Sequence, residues 1–230
     1  MAKIVVLSGA GISAESGFST FRDSDGLWNK FKVEDVATPE GYARNPQLVL
    51  DFYNGLRRDL YKAEPNKGHL ELAELERDFD VSIITQNVDD LHERAGSSDG
   101  LHLHGELKKA RACGDPEMII DLTEGEDIGI NDKAPDGSAL RPHIVWFGEA
   151  VPNISLAQDL VKQADIFLIV GTSLNVYPAA GLISYVRRGT PIFLVDPKPV
   201  SVPHYLDVRI IAKKASEGVA CFADMIRHLK

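Results

Sequence analysis

The chemistry this chain can carry out is concentrated in a few polar clusters that follow short apolar runs. Lys3-Ile4-Val5-Val6-Leu7 runs into Ser8-Gly9-Ala10-Gly11-Ile12-Ser13-Ala14-Glu15-Ser16-Gly17. A strand that breaks into small residues and then opens a helix presents free backbone N–H groups, and the helix dipole, to an anion. Gly9, Gly11 and Ala14 fit the spacing of a dinucleotide-binding turn, although the same spacing also serves a tight turn with no ligand. Asn87 and Asp89, in Thr85-Gln86-Asn87-Val88-Asp89, stand where another apolar run turns polar. An amide there can hold a carboxamide or a ribose, and a carboxylate can stabilise developing positive charge or orient the carboxamide. The pair can equally cap a helix over residues 90–94. Gly171-Thr172-Ser173 offers N–H and hydroxyl groups to a phosphate or ribose, or an N-cap to the segment after it. Asp196 can accept from ribose hydroxyls or make an Asp-Pro turn. His104 closes the run Leu101-His102-Leu103-His104-Gly105, in which alternation puts both histidines on one face. A histidine, with a pKa of about 6.5, can take a proton at neutral pH; it can also be a structural residue bonded to backbone.

These clusters need a frame. Apolar, β-rich runs occur at residues 4–7, 81–85, 144–147, 166–170, 191–195 and 208–212, with helical patterns at 68–79, 155–164, 178–188 and 218–229. Strands buried on both faces and alternating with helices predict an α/β fold, a doubly wound, mainly parallel, Rossmann-like sheet. In such sheets ligands lie beyond the carboxyl ends of the strands, which is where the clusters at 8–13, 86–89, 171–173 and 196 fall. Two stretches break the rhythm. Residues 30–64 read as helical, most clearly over 51–60, and residues 108–141 as polar, acidic and turn-rich. Both are expected to be insertions that build a smaller second domain, with 1–29, 65–107 and 142–230 forming the Rossmann-like one.

The 230 residues carry 25 basic and 34 acidic side chains, a net charge of −9. That argues against a broad grip on nucleic acid or an anionic membrane. Two cysteines, Cys113 and Cys221, allow one disulfide at most. The first apolar run is too short for a signal peptide, and none approaches the roughly 20 residues of a membrane span. The expectation is a cytoplasmic monomer without nucleic-acid or membrane partners.

The stretch GAGISAESGFSTFRDSDGLW resembles the sirtuin family of NAD-dependent protein deacylases. The likeness recurs, in the family's order, at Thr85-Gln86-Asn87-Val88-Asp89, Leu103-His104-Gly105-Glu106, Val145-Trp146-Phe147-Gly148-Glu149 and Gly171-Thr172-Ser173-Leu174. It implies NAD as cofactor. Its binding residues would be Gly9, Ala10, Gly11, Ile12, Ser13, Ala14 and Glu15, then Phe21, Arg22 and Trp28, then Gln86, Asn87, Val88 and Asp89. Gly171, Thr172, Ser173, Asp196 and Ala215 complete the implied set. The implied substrate is an acylated lysine in a protein or peptide, whose acyl oxygen attacks C1′ of the nicotinamide ribose near Asn87 and Asp89. His104 matches the family's general base and would deprotonate a ribose hydroxyl, and Phe21 and Arg22 would guard that ribose. The products would be nicotinamide, O-acyl-ADP-ribose and free lysine. Val145, Phe147, Gly148 and Glu149 would pair with the peptide and line the acyl-lysine tunnel. Two other readings keep the NAD site: transfer of ADP-ribose to a protein side chain, and a non-catalytic NAD or ADP-ribose module. His104 and the segment at 145–149 favour deacylation over the first, and Asn87, Asp89 and His104 together argue against the second.

The chain departs from the family in two places. Most sirtuins carry two C-x-x-C pairs, but Cys113 is followed here by Gly114-Asp115-Pro116, and two cysteines cannot give four thiolates. No structural zinc is expected, and residues 108–141 must be held by packing or loop hydrogen bonds. Ala37-Thr38-Pro39 and Phe52-Tyr53-Asn54 resemble the subclass that removes succinyl and malonyl groups, where a tyrosine and an arginine three residues later hold the acyl carboxylate. Tyr53 matches, but Leu56 stands in the arginine's place, followed by Arg57 and Arg58. Residues at i+3 and i+4 share a helix face. Either Arg57 swings into the pocket formed with Tyr53 and Ala37, or the anion site is lost and acetyl-type groups are preferred.

Overall fold

A computed structural model describes residues 1–18 and 31–227, so Phe21, Arg22 and Trp28 lie outside the described residues. The strands in chain order are β1 (Lys3–Ser8), β2 (Asp80–Thr85), β3 (Gly100–His102), β4 (Gly105–Ala112), β5 (Ile119–Asp121), β6 (Leu140–Ile144), β7 (Ile166–Val170), β8 (Ile192–Val195) and β9 (Val208–Ile211). Six of them form one parallel sheet in the order β3-β2-β1-β7-β8-β9. This is the order of doubly wound dinucleotide-binding sheets, with the reversal between β1 and β7. The register matters more than the order. Ser8 pairs with both Thr85 and Val170, and Val170 pairs with Val195. Four strands therefore end in one row, and Gln86, Gly9, Gly171 and Asp196 emerge side by side.

The strands are apolar on both faces because both faces are covered. Ile4, Val6, Ile83, Leu168 and Phe193 pack toward α4 (Lys67–Leu75) and α7 (Ala215–Arg227). Their alternates Val5, Leu7, Ile84, Phe167 and Leu194 pack toward α6 (Ile154–Gln163) and a 3₁₀ segment, Ala179–Tyr185. A third apolar cluster joins α1 (Val33–Val36), α2 (Pro39–Arg44) and α3 (Pro46–Leu60) to Leu107, Ile144 and Trp146. The helix starts follow capping chemistry: Thr38 accepts from Gly41 N, Asn45 from Leu48 N and Asn66 from Gly68 N, the first two just before a proline. Among the described residues, no helix is long and apolar enough to cross a membrane.

Four sequence expectations need correction. The segment after Gly9 is not an α-helix but two 3₁₀ turns, Ala10–Ile12 and Ala14–Ser16. The pattern at 178–188 is 3₁₀ over Ala179–Tyr185, with Ala179, Leu182 and Ile183 in the same apolar cluster as Ala157 and Val161 of α6. The strand expected at 144–147 lies earlier, at Leu140–Ile144. Residues 108–141 are not mere turns. β4 pairs antiparallel with β5 and β6, and Leu50, Ala110, Leu122 and Ile128 form a small core of their own. A register shift between Gly105 and Ala110 breaks the two-residue period that would have announced β4.

A buried polar pair lies beneath the carboxyl end of β1. His92, on α5 (Leu91–Ala95), bonds Ser8 Oγ through Nε2 at 3.0 Å, and its ring stands edge-on to that of His69 at 4.9 Å. Burial pulls His69 down to about 4 and His92 to about 3. The unfolded chain takes up both protons below 6.5 while the fold refuses them. The stability they allow is thus complete above that pH and drains as pH falls toward about 4. His92→Gln has no proton to take up at this site. Between pH 7.5 and 5.5 it is expected to lose roughly 1 kcal/mol less stability than the parent, read by denaturant titration; equal losses would contradict this account.

Candidate active site

The row of strand ends opens into a cleft of about 830 Å³. Its floor is backbone packed on backbone. A Cβ on Gly9 would lie 2.7 Å from Thr172 Cβ, and one on Gly11 would lie 2.7 Å from Gly171 Cα. Gly171 itself has φ +63, which glycine adopts freely. The contact is sealed by Gly9 N donating to Val170 O at 3.0 Å and Gly11 N donating to Gly171 O at 2.8 Å. These two N–H groups are consequently not free for an anion, which corrects the simple reading of the glycine turn.

Gln86 ties the β2 end to the same floor, donating from Nε2 to Thr172 Oγ1 at 3.0 Å. Next to it, Asn87 lines the cleft and donates from Nδ2 to Ser13 Oγ at 3.1 Å. Ser13 in turn donates to Asp89 Oδ2 at 2.9 Å, and Leu91 N donates to Asp89 Oδ1 at 3.2 Å. Ser13 and Asp89 are buried behind Asn87 rather than lining the cleft. Asp89 thus satisfies the first N–H of α5, whose N-cap is Asp90, and steadies the Asn87 amide through Ser13. Burial pushes its carboxyl up to about 6, against the hydrogen bonds from Ser13 and Leu91 and the nearby His102.

His104 lies on the opposite wall. Its Nδ1 is 3.0 Å from Gln86 O. A carbonyl oxygen only accepts, so Nδ1 carries the proton and the lone pair sits on Nε2, turned toward the cleft that His104 lines. Burial holds this histidine below its ordinary pKa, the Gln86 bond opposing in part, so the ring is neutral at pH 7. The geometry is that of a base ready to accept a proton.

The wall continues through residues 145–149. Val145 N donates to His104 O at 2.9 Å and Phe147 N to Ala37 O at 3.0 Å, so this segment bridges the two parts of the molecule. Glu149 accepts from Trp146 N at 2.7 Å and from Arg141 Nη1 at 2.7 Å, with Arg111 beside it. Arg141 lies over the Trp146 ring, 3.4 Å from its centroid. Trp146 Nε1 donates to the Tyr53 hydroxyl at 3.1 Å. Phe147 projects outward, 51% exposed.

Gly9, Ala10, Gly11, Ala14, Glu15, Gln86, Asn87, Val88, Gly171, Thr172, Ser173 and Asp196 therefore share one cleft with His104, Ala37, Tyr53, Val145, Phe147, Gly148 and Glu149. Ile12 and Ala215 are buried beside the cleft without lining it. Glu15 accepts from Ser216 N at 3.0 Å and Ser216 Oγ at 2.7 Å, joining the glycine turn to the start of α7. Asp196 does make the Asp-Pro turn, accepting from Lys198 N at 2.8 Å, and still faces the cleft. Arg57 is not in the cleft. Only 1% exposed, it donates from Nη1 to Leu107 O and from Nε to Glu126 O, both at 3.2 Å, and also bonds Asn54. The swing toward Tyr53 is not made. Sequence reasoning missed Trp146, Lys214 and the rim at Val176, Tyr177 and Val200. Trp146 was legible as the residue between two assigned neighbours; the rim has no local signal.

Comparisons with known proteins show which family the chain is similar to. The model of the Sir2 family matches residues 9–178. A protein of Bacteroides thetaiotaomicron named NAD-dependent protein deacylase is 58% identical over 223 residues, covering 95% of each chain. A Helicobacter pylori protein of the same name is 56% identical over 198 residues, 86% of each chain. Among solved structures, a Sir2 homologue in complex with NAD has a TM-score of 0.88 at 38% identity, covering 99% of this chain and 90% of its own. A Sir2 mutant holding a p53 peptide and NAD has a TM-score of 0.77 at 28% identity, over 98% and 92%. The chain belongs to the Sir2 family.

Proposed function

We propose that this protein removes acyl groups from lysine side chains of proteins in an NAD-dependent reaction. The observation that carries the reading is His104: a neutral histidine with its free nitrogen in the same cleft as two converging glycine turns. The residues fit NAD, since the cleft lies at the switch point of the sheet, with Asp196 placed to accept from a ribose. Bound NAD supplies an electrophilic ribose carbon, exposed as nicotinamide leaves, and a neighbouring hydroxyl. Asn87, its amide fixed through Ser13 and Asp89, would hold the nicotinamide end. His104 would accept the hydroxyl proton at Nε2 and pass it on when water completes the release. The segment at 145–149 would hold the peptide, with its rigid Glu149–Arg141–Trp146 support behind it. The Rossmann-like segments 1–29, 65–107 and 142–230 and the smaller 30–64 and 108–141 belong to this reading, as do a monomeric state and a cytoplasmic setting. The small core of Leu50, Ala110, Leu122 and Ile128 supports a smaller unit, although the bounds 107/108 and 141/142 fall inside β4 and β6, and the net charge of −9 supports the monomer.

We also infer an uncharged acyl group. Leu56 fills an apolar cluster with Tyr53, and Arg57 is committed to Leu107 and Glu126. Among the described residues, the lysines lining the cleft, Lys198 and Lys214, follow β8 and β9 and are not on the elements around Tyr53. A buried carboxylate without a guanidinium fork forfeits a strong charge-assisted pair.

Two experiments follow. With NAD and an acetyl-lysine peptide, mass spectrometry is expected to show nicotinamide and O-acetyl-ADP-ribose, and His104→Ala to lower kcat/KM by roughly 10²–10⁴-fold. The acid limb of the parent's kcat/KM should lie below 6.5, since burial favours the neutral ring. Undiminished turnover in the variant would remove His104 from the base role, and a silent parent would overturn the deacylase reading. Matched peptides test the acyl group: succinyl-lysine is expected to turn over roughly 10²-fold less well than acetyl-lysine. A succinyl preference would mean that a cation reaches the tunnel after all.

A further inference from the structure

His102 does not line the cleft that His104 lines, and its ring is held between two acceptors. Nδ1 is 3.1 Å from the main-chain oxygen of Asn87, and Nε2 is 3.0 Å from Glu93 Oε1. Neither a carbonyl nor an ionised carboxylate has a proton to give, so two acceptors facing the two ring nitrogens favour the doubly protonated ring. Burial pulls His102 down, but the carboxylate of Glu93, with help from Glu106 and the Asn87 carbonyl, holds it above its ordinary pKa. Glu93, although burial raises it, is held below its own ordinary value by His102. The two directions agree on an ion pair. The charged and titratable groups around the ring are Glu93 and His92 from α5, Glu106 from β4 and Asp89 from the β2 loop. Asp90, next to Asp89, is occupied by Lys108 and Arg94.

The arrangement has a second half. His104 Nδ1 holds Gln86 O just as His102 Nδ1 holds Asn87 O. Alternate histidines of one short segment thus pin successive carbonyls of the loop that carries Asn87 and Asp89. We propose that His102, clamped by Glu93, is a positioning residue for the nicotinamide end of the site: it fixes the Asn87 main chain and, when protonated, sets a cation near Asp89. This rests on the deacylase reading for the roles of Asn87 and Asp89, and needs no contact between His102 and any ligand.

Hydrogen bond and charge can be separated by substitution. His102→Asn keeps an N–H for the Asn87 carbonyl without the charge. Glu93→Gln leaves the ring in place but removes its counter-ion. His102→Leu removes both. The readout is the Kd of NAD by calorimetry from pH 5 to 8, with nicotinamide release measured beside it. Without the cation, Asp89 protonates at a higher pH, so binding should fail roughly one pH unit earlier on acidification in all three variants. At pH 8, His102→Leu should bind NAD about tenfold more weakly, while His102→Asn and Glu93→Gln stay within about threefold of the parent. Unshifted pH profiles in His102→Asn and Glu93→Gln would overturn the proposal, as would a uniform loss of affinity with the profile unmoved. Should His102→Leu not fold, the other two variants still decide. A parent that binds NAD but releases no nicotinamide would count against the deacylase reading and leave this binding test intact.

Discussion

The site depends on one close approach, that of Gly9 and Gly11 to Gly171. Any side chain there would meet main-chain atoms, which cannot rotate away, rather than the end of a flexible neighbour. The approach brings the ends of β1 and β7 together, and the bonds Gly9 N to Val170 O and Gly11 N to Gly171 O extend the ladder one step past the strands. Because those donors are spent, the glycine turn contributes shape more than hydrogen bonds. Its value lies in letting the turns after β1 and β7 pack backbone to backbone. Everything on the β2 loop is then placed relative to this floor, through Gln86 on Thr172 and Ser13 on Asp89.

His104 and the segment at 145–149 form one mechanical unit. His104 is anchored by its ring to Gln86 O and by its own carbonyl to Val145 N. Phe147 N continues to Ala37 O, so the segment at 145–149 lies between the large sheet and the helical region without belonging to a sheet itself. The N–H groups of Val145, Trp146, Phe147 and Glu149 are already spent on His104, Glu149, Ala37 and Trp146, and the Glu149 network stiffens the segment from behind.

Much of this was legible in the sequence, and the boundary between legible and illegible is physical. The glycine turns, Asn87, Asp89 and His104 could be read because their chemistry demands particular residue types within a few positions of a strand end. The parallel strands could be read because burial on both faces leaves uninterrupted apolar runs. β4 could not, since a bulge and the adjacent Lys108 and Lys109 disturb its alternation, and Pro142 disguised β6. The 3₁₀ geometry after Gly9 and the spent N–H groups depend on Gly171, which is 160 residues away in sequence and adjacent in space.

Arg57 shows the limit most clearly. Helical spacing correctly placed it near the face of Tyr53, but spacing cannot say which partners compete for a side chain. The competitors are the carbonyls of Leu107 and Glu126, 50 and 69 residues distant. They win because the turn from Asn54 to Arg58 grips the segment at 126–128: Asn54 both donates to Ile128 O at 3.0 Å and accepts from Ile128 N at 3.0 Å, while Arg58 pairs with Asp127. In a small antiparallel sheet with a core of only a few side chains, these buried bonds hold a turn-rich segment that packing alone would leave loose. Drawing Arg57 back toward Tyr53 would leave the buried Leu107 carbonyl without a donor, costing roughly 1–3 kcal/mol, and would free the more exposed Glu126 carbonyl as well. The residue that resemblance offered to substrate recognition is committed instead to holding the small sheet, and Leu56 beside it packs in the apolar cluster of Tyr53.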